Sequence, residues 1–196
     1  MGITAEKDRI YTVDEYLQIE RRTGERYEFY NGKIQVMAGG TINHNRITRN
    51  VVQHLSNILD ERMGFEVFGS DQKVYLPDLH YYVYPDVVVI TDGPIMAEKE
   101  ADGLINPLLV IEVLSLGTEK YDRNDKFAHY STLPSLQEYV LIRQNAPHLI
   151  SFFREAPDLW REAHVHGLDQ EVLFKSIDVR LALELIYRKV EFPAAP

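Results

Sequence analysis

The chain has 196 residues, 45% hydrophobic and 26% charged, with a formal net charge of −9. These values fit a folded single domain, residues 1–196, exclude a disordered chain, and count against a general basic nucleic-acid binder. Cysteine is absent, which removes disulfides, thiolate metal sites and cysteine nucleophiles together.

No apolar run approaches membrane-spanning length, and the start MGITAEKDRI has no signal-peptide core. The expectation is a cytoplasmic protein with no membrane partner. The acidic balance leaves a nuclease possible, because a metal site concentrates carboxylates while a local basic patch grips phosphate.

In chain order, residues 13–21 read as a short helix, with Thr12 as N-cap and Glu15 completing a capping box. Residues 26–37 read as a hairpin turning at Asn31-Gly32, a strong short-range hairpin signal. Residues 41–63 form the longest expected helix, with Ile47, Val51, Leu55, Ile58 and Leu59 on one face. Strands follow at 65–68, 72–76 and 84–90. The last contains VVVI, apolar on both faces and therefore central in a sheet. Residues 108–114, LLVIEVL, make a second such run.

A helix is expected over about 118–130. Strands then come near 138–143, 149–154, 160–164 and 171–174, and a helix near 179–187. The pattern is α/β, bordering on α+β: a mixed central sheet flanked by helices.

Two of these apolar strands carry acids. Asp86 opens the run 84–90, and Glu112 is embedded in 108–114. An isolated buried carboxylate is costly, so each must be paired, hydrogen-bonded, protonated or metal-bound. Two such acids on adjacent strands fit a hard cation, and Mg²⁺ is commonly held by one or two carboxylates with waters and phosphate. Asp86 reads equally as a turn residue after Pro85, and Glu112 as the partner of a buried arginine. On the following helix Asp122, Lys126 and Tyr130 are four apart and share a face. A solvated Asp–Lys ladder is the plainer alternative.

These residues resemble the Uma-two endonucleases, a branch of the PD-(D/E)XK, restriction-endonuclease-like superfamily. The resemblance runs from about Tyr11 to Phe192. It takes in Tyr27, Glu28 and Gly32 of the hairpin, His44, Pro85-Asp86, and Glu112-Val113-Leu114-Ser115 with Thr118, Asp122, Lys126 and Tyr130. It implies a restriction-endonuclease-like core, metal ligands at Asp86, Glu112 and the backbone carbonyl of Val113, and a homodimer. The superfamily lysine, two residues after the glutamate, is replaced here by Leu114, and the Uma-two pattern points to Lys126 instead. Ser115-Leu116-Gly117-Thr118 also departs from the usual Ser-Pro-Ser-Thr.

The implied activity is Mg²⁺- or Mn²⁺-dependent hydrolysis of DNA, with Asp86, Glu112, Lys126, Glu28 and His44 as candidate catalytic residues. Arg46, Arg49, Ser115, Asp122 and Tyr130 are candidate substrate contacts. Glu28 reads equally as an exposed strand residue, His44 as a polar first-turn residue, and both arginines as surface groups. Asp71 reads as a loop residue, with an acid supporting the metal ligands as the alternative. Tyr81, Tyr82 and Tyr84 either stack on bases or pack. The remaining histidines show no metal-ligand spacing, and His164 and His166 read as solvated. Phosphate-cradling glycine motifs and a nucleophile elbow are missing. The rival functions are an inactive nuclease-fold module that binds DNA or protein, and a dimeric metal-binding scaffold.

Overall fold

The structure is a computed structural model that describes residues 9–37, 39–97, 103–115 and 121–192. Helix α1, Val13–Thr23, starts as its sequence dictates. The Glu15 amide donates to Thr12 Oγ1 at 3.2 Å, and the Thr12 amide donates to Glu15 Oε2 at 2.9 Å. Gly24 ends it in the left-handed region.

The hairpin of β1, Tyr27–Tyr30, and β2, Lys33–Val36, turns at Asn31 and Gly32, with φ of 50° and 74°. Positive φ at both positions gives the turn whose twist matches the flanking strands.

Helix α2, Ile42–Leu59, is capped by Thr41 and stops four residues short of the expected end. Its buried residues Ile47, Val51, Leu55 and Leu59 recur every four positions. Beyond them the apolar period lapses, and Met63 is 98% exposed.

Next come β3, Phe65–Gly69, and β4, Val74–Leu76. The strand expected over 84–90 begins three residues late, and a separate strand that was not expected precedes it. Strand β5, Tyr81–Val83, belongs to one sheet, and β6, Val87–Thr91, to another. Pro85 has no N–H for a ladder, so the chain changes sheets there and Asp86 lands at the start of β6.

Strand β7, Leu109–Leu114, is buried at every position. A π-helical stretch, Asp122–Lys126, then runs into α3, Phe127–Tyr130. The expected helix residues 118–120 lie outside the described residues.

Strands β8, Glu138–Arg143, β9, His148–Ala156, and β10, Leu159–His166, follow. The chain closes with β11, Glu171–Phe174, β12, Val179–Ala182, and α4, Leu183–Ile186. The helix expected over 179–187 thus begins as a strand and is helical only from Leu183 to Ile186. Val179 and Leu181 point inward while Arg180 is exposed, a period of two that pairs with β11.

The central sheet has the order β10-β9-β8-β7-β6-β3. Its pairs are antiparallel except β7–β8, which is parallel. The fold is therefore α+β around a mixed sheet. On one face, Val87, Val89, Ile111 and Val113 pack against α2, the β11–β12 hairpin and α4. On the other, Val88, Ile90, Val110 and Leu114 pack with β4, β5, α3 and their loops. A second sheet, β2-β1-β5-β4, carries the β1–β2 hairpin toward this second face. Among the described residues, no helix is long and apolar enough to cross a membrane.

Candidate active site

Strands β6 and β7 are neighbours, with Val87 opposite Ile111. That register puts Asp86, at the start of β6, beside the C-terminal half of β7. The Val113 amide donates to Asp86 Oδ2 at 2.7 Å, fixing the carboxylate against β7. His44 Nε2 lies 3.1 Å from the same oxygen. His44 is brought there by α2, whose first turn is held by the His44 amide bond to Thr41 Oγ1. Thr41 also bonds to Gln144, whose Nε2 donates to the Leu114 carbonyl at 2.9 Å. The helix start and the end of β7 are thereby linked. Burial opposes protonation of His44, but the hydrogen bond and charge of Asp86 outweigh it and raise its pKa.

Glu112 is buried on the face of β7 opposite α2, the face it shares with Leu114. Lys126 Nζ lies 2.9 Å from its Oε1, and the Tyr130 hydroxyl donates to that oxygen at 3.3 Å. Lys126 also lies 3.4 Å from Glu28 Oε1 and 4.0 Å from Asp122 Oδ1. The π-helical winding keeps Asp122 and Lys126 on one buried side, while Arg123 is more open to solvent.

Glu28 arrives from β1. Its second oxygen accepts from the Tyr81 hydroxyl at 3.1 Å, and Tyr81 meets Tyr121 at 3.0 Å. Glu28 is therefore turned inward. Tyr81, Tyr82 and Tyr84 are buried, so they pack and bond within the protein rather than present faces for stacking.

Among the described residues, the cluster thus holds four carboxylates, Asp86, Glu112, Glu28 and Asp122, against one lysine and one histidine. Burial pushes Glu112 up; Lys126 pulls it back, and Asp86 and Asp122 push it further up, to about 8. Burial disfavours the Lys126 charge, but Glu112, Glu28 and Asp122 more than compensate and hold it protonated. An all-oxygen donor set with excess negative charge matches the chemistry of a hard divalent cation.

Arg46 and Arg49 are not brought to these carboxylates. Arg46 turns to Glu191 Oε1 at 3.1 Å. Arg49 donates to Asn50 Oδ1 at 2.7 Å and lines a cleft with Asn45, Phe68, Gly69 and Ser70. Since Gly69 sits opposite Val87, that cleft borders the Asp86 end of β6. Ser115 follows directly on β7, half-buried. Asp71 pairs with Arg26 at 2.6 Å on the surface.

Two groupings escaped the sequence. Glu138 is fully buried and accepts from Ser151 Oγ at 2.8 Å and from Ser176 N and Oγ at 2.9 Å each. It opens β8 after Gln137, ahead of the apolar run from Tyr139 to Ile142, a weaker signal than an acid embedded in such a run. His148, His164 and His166 come together across β9 and β10; His164 and His166 are exposed, as expected, and are also neighbours of His148. Only the strand register could reveal them.

The model of the Uma2 family, described as "Putative restriction endonuclease", matches residues 13–184. The chain is 34% identical over 171 residues to the uncharacterized protein sll1609 of Synechocystis sp., covering 87% of this chain and 96% of that one. It is likewise 34% identical over 179 residues to the uncharacterized protein slr1290 of the same organism, covering 91% and 92%. In fold it is similar to the crystal structure of a putative nuclease belonging to DUF820 from Anabaena variabilis. The TM-score is 0.72 at 18% identity, over 90% of this chain and 97% of that chain.

Proposed function

The chain belongs to the Uma2 family, described as putative restriction endonuclease, and from that premise we propose that it is a Mg²⁺- or Mn²⁺-dependent endonuclease acting on DNA. The observation that carries this reading is the buried meeting of Lys126 with Glu112 beside the fixed carboxylate of Asp86. Asp86, Glu112 and the carbonyl of Val113 would hold the cation. Such a cation supplies Lewis-acid polarisation of a phosphoryl oxygen and an acidified water.

The protein's own groups do the rest by positioning and charge. His44 and the Val113 amide keep Asp86 in one orientation. Lys126 supplies a fixed positive charge to offset charge developing on the phosphoryl group. It takes the place of the motif lysine that Leu114 lacks. Glu28 and Asp122 hold Lys126 in turn, and Tyr130 orients Glu112. Arg49, in the cleft beside Asp86, is placed to contact the nucleic-acid backbone, with Ser115 at the mouth of β7. Two copies of the chain acting together fit cleavage of both strands, and light scattering reads that assembly directly.

The test is cleavage of supercoiled, linear and single-stranded DNA by purified chain with Mn²⁺. The expected result is cutting by the wild type that both Asp86→Ala and Glu112→Ala abolish. A wild type as inactive as Asp86→Ala on every substrate would remove the enzyme reading. The net charge of −9 favours a second reading in that event, a nuclease-fold module that binds without cutting.

A further inference from the structure

Strands β9 and β10 form the outer hairpin of the central sheet, and β10 is its edge. His166 stands directly opposite His148, and His164 opposite Ile150. The three imidazoles therefore share one face. Each offers a ring nitrogen, and those atoms lie within 4.8 Å of one another. His148 Nε2 and His164 Nδ1 are already 3.0 Å apart, close to the roughly 3.3 Å between two nitrogens on a tetrahedral ion with Zn–N bonds of about 2.05 Å.

A second observation concerns the outer side of His164. Its Nε2 lies 2.8 Å from Glu162 Oε1, and the same oxygen is held by Arg123 Nη2 at 2.6 Å. In a neutral ring, a carboxylate there favours the proton on Nε2, which leaves Nδ1 bare and facing His148. A carboxylate behind a histidine in this way is the usual support of a metal-ligating imidazole. His148 is fixed from behind as well: its amide donates to the Tyr187 hydroxyl at 3.1 Å, and its carbonyl accepts from that hydroxyl at 3.0 Å.

We infer that His148, His164 and His166 form a binding site for a borderline divalent transition ion, zinc being the best match. Three neutral imidazoles suit zinc, cobalt, nickel or copper, whereas magnesium prefers oxygen. Binding needs one internal change: the proton that His148 shares from Nε2 toward His164 moves to its Nδ1, with no change in net charge. The fourth position is left for water. The site is separate from the carboxylate cluster. Glu112, Leu141, Ile150 and His164 lie in one cross-strand row, so three strand spacings of about 4.8 Å, about 14 Å in all, divide them. The ion would pin the edge strand β10 to β9.

The test uses the full chain without a polyhistidine tag, titrated with Co²⁺ and followed by its visible d–d absorption, then by displacement with Zn²⁺. One equivalent per chain is expected, kept in Asp86→Ala and lost in His164→Ala and His166→Ala. Those two side chains lie on an exposed edge strand, so both variants should keep the wild-type circular dichroism even if His148→Gln fails to fold. Glu162→Gln should weaken binding by roughly 10- to 100-fold. Absence of d–d bands at millimolar Co²⁺ would overturn the site. Binding that survives His164→Ala, or that vanishes in Asp86→Ala alone, would overturn it equally.

Discussion

Lys126 Nζ lies 2.9 Å from Glu112 Oε1, with both side chains no more than 7% exposed. A lysine on the helix after β7 thus reaches the acid in the strand, and it also lies 3.4 Å from Glu28 and 4.0 Å from Asp122. Lys126→Met takes its ammonium out of a group of buried acids. Breaking a buried pair from one side costs about 3–5 kcal/mol, so the urea midpoint should fall sharply. Adding Glu112→Gln to that background should recover part of the loss. An unchanged midpoint in Lys126→Met would mean that water, not the lysine, satisfies these carboxylates.

Leu114 occupies the motif position two residues after Glu112, and both project from the same face of β7. Leu114→Lys alone places a second cation in an apolar cluster and should destabilise without raising activity. In a Lys126→Met background it should restore part of the lost DNA cleavage, because the ammonium returns to the same face as Glu112. Failure to restore any activity would tie the role of Lys126 to its contacts with Glu28 and Asp122.

His44 and Arg46 are two residues apart on α2 and face different surroundings. His44 supports Asp86, while Arg46 pairs with Glu191, which is 83% exposed at its side chain. His44→Ala should lower metal affinity or cleavage by roughly 10- to 100-fold, the usual cost of losing a group that orients a ligand. Arg46→Ala should leave both unchanged, as an exposed ion pair contributes little. Equal losses in the two variants would count against a specific role for His44.

Much of this arrangement was written in local sequence. Thr12 and Glu15 mark the first helix, Asn31-Gly32 the hairpin, and Glu112 in LVIEVL a buried acid that needs partners. Lys126 is legible because four residues on from Asp122 bring it to the same side. Glu28 is a different matter: its inward turn depends on how the β1–β2 hairpin docks through β5, which no spacing encodes. The same holds for His148 and His166, 18 positions apart and paired only by the register of β9 with β10. The strand at Val179–Ala182 was misread because four residues of period two were swamped by the leucines that follow. Pro85 was read inside a strand over 84–90, when it stands between two strands that belong to different sheets.

Glu138 offers a titration apart from the Asp86–Glu112 carboxylate cluster. It is fully buried, and its bonds come from Ser151 and Ser176. Burial raises its pKa; those bonds and the charge of Lys175 only partly offset the rise. A carboxyl whose folded pKa exceeds its unfolded value keeps its proton longer when folded. Its contribution is therefore fullest below the unfolded value of 4.5 and declines as pH rises through the folded value. Glu138→Ala should destabilise the protein by about 3 kcal/mol, since Ser151 and the Ser176 amide lose a buried acceptor. The gap between wild type and variant, measured by urea unfolding, should narrow as pH rises above 4.5. A gap that widens over that range would show that Glu138 ionises more readily folded than unfolded.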